Sequence, residues 1–94
     1  MNAVALDLML QVELPAATRG SQEAYGRIVH ACQNTVTAIA LAITRDVQAS
    51  EDIAQEAFLK AWQQLDRLKN SASFLPWLRQ ITRNLARDWL RAQH

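Results

Sequence analysis

The stretch SFLPWLRQITRNLARDWLRAQH, residues 73–94, repeats apolar side chains at every third or fourth position. This spacing places them on one face of an amphipathic α-helix. The apolar positions are Phe74, Trp77, Leu78, Ile81, Leu85 and Trp89. Pro76 falls in the first turn, where its missing amide hydrogen leaves no intrahelical bond unmade. The segment therefore predicts a long helix that begins near Ser73 and packs on a helical core.

Two earlier segments have the same period and predict two more helices. The first runs from Ser21, a predicted N-cap, to about Thr44. The second begins at Ser50, since a hydroxyl cap followed by two carboxylates suits the positive end of a helix dipole. It ends at about Leu65 or Leu68, and its inward residues are Ile53, Ala57, Phe58, Ala61, Trp62, Leu65 and Leu68.

The connections are predicted from polar residues. The segment RDVQAS, residues 45–50, is the predicted connector between these two helices. The segment KNSAS, residues 69–73, is a predicted loop in which Asn70 adopts a left-handed turn conformation. Residues 1–20 are predicted as an N-terminal extension that can form a short helix, ended by Pro15 and Gly20.

Composition indicates one small α-helical domain. The chain has 94 residues, half of them apolar, with only two glycines and two prolines. This balance predicts an all-α fold, a compact bundle of three to four helices, with the domain over residues 21–94. One cysteine, Cys32, lies among apolar residues and is interpreted as a small core residue. The start of the chain has no basic residues typical of a signal peptide, and no apolar run approaches the roughly 20 residues of a membrane span. A cytoplasmic protein without membrane insertion is expected.

The charge is segregated along the chain. The total is +1, but residues 67–94 carry six basic side chains and one acid, whereas residues 45–66 carry two basic and five acidic ones. The basic row consists of Arg79, Arg83, Arg87 and Arg91, flanked by Gln80 and Asn84. It is either a solvated face that suits the C-terminal end of the helix dipole, or a surface that contacts phosphates.

The helix before it has an unusual outward face. That face contains Asp52, Gln55, Glu56, Leu59, Lys60 and Gln63. Leu59 is either a single exposed leucine or the apolar anchor of a helix-docking patch with a polar rim. Glu51, Asp52 and Glu56 have no histidine or second carboxylate cluster that would complete a metal or acid–base site. With no Gly-rich phosphate loop and no Ser-His-Asp set, the sequence predicts no enzymatic activity, no catalytic residue and no cofactor.

The order of these features resembles region 2 of the extracytoplasmic-function (ECF) sigma factors, a branch of the sigma-70 family. The similar positions cover about residues 18–92 and are Gly20, Ala24, Tyr25, Gln55, Glu56, Ala57, Phe58, Ala61, Trp62, Phe74, Trp77, Leu78 and Asn84. The family often has glycine where this chain has Asn70. The helix-turn-helix of region 4 is absent from the 94 residues.

The resemblance implies partners and site residues. The outward face of the third helix is expected to bind the β′ clamp coiled coil of the RNA polymerase core, through Asp52, Gln55, Glu56, Leu59 and Gln63. The loop and last helix are expected to recognise and help melt the promoter minus-ten element, holding bases of the single-stranded non-template DNA. The residues expected there are Lys69, Asn70, Ser71, Ser73, Trp77, Gln80, Arg83, Asn84, Arg87 and Arg91. An anti-sigma factor is a further expected partner.

Two other classes of function remain open on sequence alone. A helical module that only binds or sequesters a protein would keep the Leu59 patch and need no affinity for DNA. A regulator of duplex DNA would prefer double-stranded sites. Salt-dependent binding to single-stranded oligonucleotides distinguishes them from a sigma factor domain.

Overall fold

The computed structural model describes residues 1–93 and consists of helices joined by short connections. The α-helices are α1 (Ala3–Thr18), α2 (Gln22–Thr44), α3 (Val47–Gln63) and α4 (Phe74–Ala92). Two single-turn 3₁₀ helices, Leu65–Arg67 and Ser71–Ser73, lie between α3 and α4. The predicted all-α bundle is confirmed, with four helices. None of those helices combines the length and apolar content that crossing a bilayer requires.

The core forms around α2, which packs against each of the other three helices. Ile28, Cys32 and Val36 of α2 are buried, as their spacing of four residues predicts. They belong to one cluster with Leu10, Leu14, Phe58, Ala61, Phe74 and Leu78 from the neighbouring helices. Burying each large side chain contributes about 1.5–3 kcal/mol, so the packing of apolar faces holds the bundle together.

Helix α1 continues through Pro15 to Thr18, so the prediction that Pro15 ends a short helix is wrong. Proline removes one hydrogen bond here, but it lies in the last turn, where that loss is tolerated. Gly20 ends the helix, as predicted, with a φ of +102° that glycine adopts without strain. The amide of Gly20 donates to Ala17 O and that of Ser21 to Ala16 O, which is a Schellman motif.

The junction between α2 and α3 is shorter than predicted. Helix α2 ends at Thr44, and its C-cap Arg45 has a left-handed φ of 56°. Asp46 then accepts a hydrogen bond from the amide of Ala49. Asp46 is therefore the N-cap, and the predicted start at Ser50 is wrong. Ser50 lies inside the helix, buried, with its hydroxyl donating to Val47 O. A carboxylate cap four residues earlier lengthens α3 by about one turn.

The loop of residues 69–73 contains a 3₁₀ turn that the sequence did not predict. Asn70 is extended, with φ −144° and ψ 127°, so its predicted left-handed conformation is wrong. Its side-chain oxygen accepts a hydrogen bond of 2.9 Å from the amide of Ala72. Asn70 therefore caps the turn Ser71–Ser73, a role that an extended asparagine fills and glycine does not.

Helix α4 begins at Phe74, next to the predicted start, and Pro76 lies in its first turn. Phe74 and Leu78 are fully buried, while Trp77, Ile81, Leu85 and Trp89 are partly buried around them. Thr82 is also fully buried, although the apolar pattern omits it. Its hydroxyl donates a hydrogen bond of 2.9 Å to Leu78 O. Satisfying the hydroxyl within the helix lets a polar residue occupy the core.

Cys32 is buried, which confirms its interpretation as a core residue. Burial raises the pKa of the Cys32 thiol, and the positive charge of Arg79 partly offsets that effect. The thiol is thus kept in its unreactive protonated form.

Candidate functional site

The basic row of α4 lies on the side away from the core. Arg87 is exposed, and Arg79 and Arg83 are half-buried. Within residues 1–93, no carboxylate forms an ion pair with any of these three. Arg91 differs because its guanidinium pairs with Asp88. Three guanidinium groups are therefore left to bind anions, where a planar fork matches a phosphate.

Two amide side chains flank this row. Gln80 and Asn84 are both exposed, one turn apart, and the Gln80 side-chain nitrogen donates to the Asn84 side-chain oxygen at 2.9 Å. The bond fixes the two amides relative to each other. It leaves the Asn84 amino group and the Gln80 oxygen available, a donor and an acceptor that suit the edge of a base.

Trp77 contributes an apolar surface at the start of α4. It is half-buried, and its ring packs at a tilt against Phe74, with ring centroids 6.1 Å apart. Phe74 itself is fully buried. One part of Trp77 is thus anchored in the core while the rest remains accessible, as a stacking surface for an unpaired base requires.

The loop of residues 69–73 continues this surface beyond the N-terminal end of α4. Its 3₁₀ turn packs against α4. Lys69, Asn70 and Ser73 are exposed and Ser71 is half-buried. The oxygen of Asn70 is occupied by the Ala72 amide, so its amino group is the part left for a ligand. All ten residues predicted for DNA contact are at least partly accessible.

The outward face of α3 is accessible along its length. Asp52, Gln55, Glu56, Leu59 and Gln63 are all exposed. Leu59 exposes 55% of its surface, which is high for a large apolar side chain. The five residues predicted for docking therefore form one surface on a single helix, with the apolar anchor inside a polar rim.

A cleft extends this docking face onto α2, which the sequence pattern did not predict. It has a volume of about 290 Å³ and is lined by Gln22, Tyr25, Gly26, Phe58, Leu59 and Trp62. Tyr25 and Trp62 pack with ring centroids 4.8 Å apart. Gly26 has no side chain to fill the space, so the cleft stays open beside Leu59. The glycine inside an otherwise regular helix was the one sequence signal for it.

The acidic and basic helices meet at a second cleft. Asp52, Glu56 and Lys60 of α3 line it together with Leu85, Asp88 and Trp89 of α4. Asp88, the single acid of residues 67–94, thus lies at the edge of α4 next to α3. Arg91 forms its ion pair with Asp88 at this edge. The charged residues that line this cleft are three acids and one base, so the boundary between the two helices is mainly acidic.

Comparison with known proteins identifies the family of the chain. Residues 28–94 match the family described as Sigma-70 region 2. The chain is 77% identical over 92 residues to the "Probable RNA polymerase sigma factor RfaY" of Xanthomonas campestris pv. campestris, covering 98% of this chain and 23% of the relative. It is 33% identical over 85 residues to the ECF RNA polymerase sigma-E factor of Escherichia coli K12, covering 88% of this chain and 43% of the relative.

A third relative is the ECF RNA polymerase sigma factor SigW of Bacillus subtilis, 29% identical over 86 residues, covering 92% of this chain and 46% of the relative. The chain spans less than half the length of each of these relatives. The matched family accounts for most of the chain, including α3, the loop and α4. The resemblance to ECF sigma factors is confirmed, and the chain belongs to the Sigma-70 region 2 family.

Proposed function

We propose that this chain is the part of an ECF-type sigma factor that joins the RNA polymerase core to the promoter minus-ten element. It docks on the β′ clamp coiled coil through α3 and holds non-template DNA through the loop and α4. The main support is that Trp77, Gln80 and Asn84 lie on the flank of unpaired arginines. A solvated basic face needs no such neighbours.

On the DNA side, the residues divide into two roles. Arg83 and Arg87 attract phosphates regardless of sequence and release counterions, since no carboxylate in residues 1–93 neutralises them. Asn84, Gln80 and the amino group of Asn70 provide directional hydrogen bonds that select a base. Trp77 offers a face on which an unstacked base can lie, which favours the melted strand over the duplex.

On the polymerase side, Leu59 acts as the apolar anchor. The cleft bounded by Tyr25, Phe58 and Trp62 lies next to it, so a partner side chain can be buried there while Leu59 contacts the partner helix. Asp52, Gln55, Glu56 and Gln63 form the rim, whose carboxylates favour a basic partner. These contacts involve no covalent chemistry, and a protein that performs them acts where RNA polymerase does, in the cytoplasm.

The test is a titration with single-stranded oligonucleotides at several salt concentrations. A 20-nucleotide strand is first selected from a randomised pool against the native chain, and a scrambled strand serves as the reference. Asn84→Ala should weaken binding to the selected strand by about tenfold and leave the scrambled strand nearly unchanged. Arg87→Gln should weaken both and reduce the slope of log K against log salt by about 0.7.

Two matched variants control for side effects of the substitutions. Asn34→Ala and Arg45→Gln change exposed residues of the same types outside the surface, and both should bind like the native chain. A native chain that binds no single-stranded DNA in a salt-dependent manner would contradict the proposal. It would favour the protein-binding module instead.

A further inference from the structure

Helix α1 lies along the loop of residues 69–73. It packs against both α2 and the 3₁₀ turn Ser71–Ser73. One small cavity of about 150 Å³ is lined by Asp7, Leu10, Gln11, Ser71 and Ala72. A second, of about 300 Å³, is lined by Leu14, Pro15, Thr18, Arg19 and residues 68–71. The loop therefore follows α1 from Leu68 to Ala72.

Helix α1 is itself held firmly in the bundle. Leu10 and Leu14 are each only 3% exposed and belong to the same core cluster as α2, α3 and α4. The carboxylate of Glu13 pairs with the Arg27 guanidinium of α2. The Schellman motif at Gly20 fixes the angle at which α1 enters α2. The side of α1 that meets the loop is thus a rigid surface.

The loop has little of its own to define its shape. The turn Ser71–Ser73 buries no side chain. Its local hydrogen bonds all lie within one turn. The Ala72 amide donates to the Asn70 side chain and the Ser73 amide to Asn70 O, both at 2.9 Å, and the Phe74 amide donates to Ser71 O. A segment without buried side chains takes its conformation from the elements it packs on. Here those elements are α1 and the first turn of α4.

We infer that α1 is a positioning element for base selection and that Leu10 is its main positioning residue. Leu10 lies beside Ser71 and Ala72 at the cavity that they line together. It holds the turn there and, through the hydrogen bond from the Ala72 amide to Asn70, places the Asn70 amino group where it meets a base. This inference rests on the proposed contact between the loop and the minus-ten element. It assigns a role to residues 3–18, which lie outside the matched Sigma-70 region 2 segment.

The experiment uses the native 94-residue chain, Leu10→Ala, Leu10→Met and a control, Leu8→Ala. Leu8 lies on the same helix but exposes 58% of its surface. Binding to the selected and scrambled strands is measured, together with hydrogen exchange of the Ala72 amide. Leu10→Ala should bind the selected strand about tenfold more weakly, with the scrambled strand changed by less than about twofold, and the Ala72 amide should exchange faster. Leu10→Met fills the same space and should restore native binding.

The outcomes separate positioning from general stability. Circular dichroism first verifies that each variant is folded, and Leu10→Val replaces Leu10→Ala if the larger truncation unfolds the chain. A folded Leu10 variant that keeps the native preference overturns the inference. Equal weakening of both strands also overturns it, because that result indicates a purely structural role. A native chain that binds the selected and scrambled strands equally contradicts the proposed function. A native chain with a preference that Leu10→Ala retains contradicts only the role of Leu10.

Discussion

Tyr25 connects α2 to the docking face of α3. Its hydroxyl donates a hydrogen bond to Phe58 O, and its ring packs against Trp62. These two partners lie on either side of Leu59 in sequence and line the same cleft. Burial raises the pKa of the Tyr25 phenol well above its usual range. A single buried phenol therefore supports the geometry of a surface that lies largely outside the core.

Tyr25→Phe should change how stability depends on alkaline pH. In the unfolded chain the phenol ionises near pH 10.0, whereas in the folded chain it keeps its proton to higher pH. The folded state then binds more protons above pH 10, so its free energy of unfolding falls as pH rises, by up to about 1.4 kcal/mol per unit. In Tyr25→Phe this decrease in the free energy of unfolding is absent, because the variant has no phenol to ionise.

Urea unfolding at pH 8 and pH 11 measures the effect. At pH 8 the native chain should be the more stable by about 1 kcal/mol, the net value of one hydrogen bond. At pH 11 that advantage should disappear. Tyr25 is the one tyrosine in the chain, so no other phenol contributes. A difference that stays constant between the two pH values would contradict the prediction.

At the scale of elements, the start of α3 depends on which of two candidate caps is used. Ser50 with Glu51 and Asp52 is the predicted start, whereas Asp46, a residue type that also caps helices, is the N-cap in the structure. Asp46 is used because Arg45 turns the chain into the left-handed region directly after α2. The helix can then begin at Val47, and its first turn buries Ala49 and Ser50. Packing of that extra turn decides between the two caps.

Asp46→Ala should lower the free energy of unfolding by about 1 kcal/mol, the usual cost of losing an N-cap. Asp46→Asn keeps an acceptor oxygen and should cost less. Ser50→Ala removes only a hydroxyl that bonds back to Val47 O, so its effect should stay within about 0.5 kcal/mol. Thermal or urea unfolding monitored at 222 nm measures all three. A larger loss for Ser50→Ala than for Asp46→Ala would place the functional cap at Ser50.

At the scale of the whole molecule, the bundle separates two kinds of surface. The segment of residues 45–66 carries a net charge of −3 (two basic minus five acidic side chains), and residues 67–94 carry +5 (six minus one). Helices α3 and α4 pack side by side, but their accessible faces differ: Asp52 and Glu56 are exposed on α3, and Arg83 and Arg87 are accessible on α4. In the proposed function, charge complementarity directs a basic partner to α3 and a polyanion to α4.

Leu59→Arg should therefore abolish one interaction and leave the other unchanged. Affinity for an isolated β′ clamp coiled coil, measured by titration calorimetry, should fall by about 30-fold or more, as for a buried hot-spot residue. Binding to the selected oligonucleotide and the melting temperature should stay near native values, because Leu59 is exposed in the free chain. Val12→Arg, the same kind of change at an exposed position of α1, is the control. Unchanged affinity for the coiled coil in Leu59→Arg would contradict the assignment of the docking face.

Local sequence is sufficient to predict that α2, α3 and α4 are helices and which of their faces are buried. Apolar residues at intervals of three and four predicted α2, α3 and α4, and the same pattern left Leu59, Asn84 and the arginines outside. The sequence also predicts Ser21 as an N-cap, and the Ser21 hydroxyl accepts a hydrogen bond from the Ala24 amide. These features depend on helical periodicity and on neighbours within one turn, so the local sequence contains the necessary information.

Features that depend on contacts between helices follow from the packing of the folded chain. Three such features differ from the local prediction: α1 continues through Pro15, α3 is capped at Asp46 and not at Ser50, and Asn70 is extended. The cleft that Tyr25 and Leu59 line, and the cavity that Leu10 lines with Ser71 and Ala72, join residues more than thirty positions apart. Local patterns are degenerate at chain ends, caps and loops, where several conformations have similar energy. Burial of apolar surface between distant segments then selects one of them.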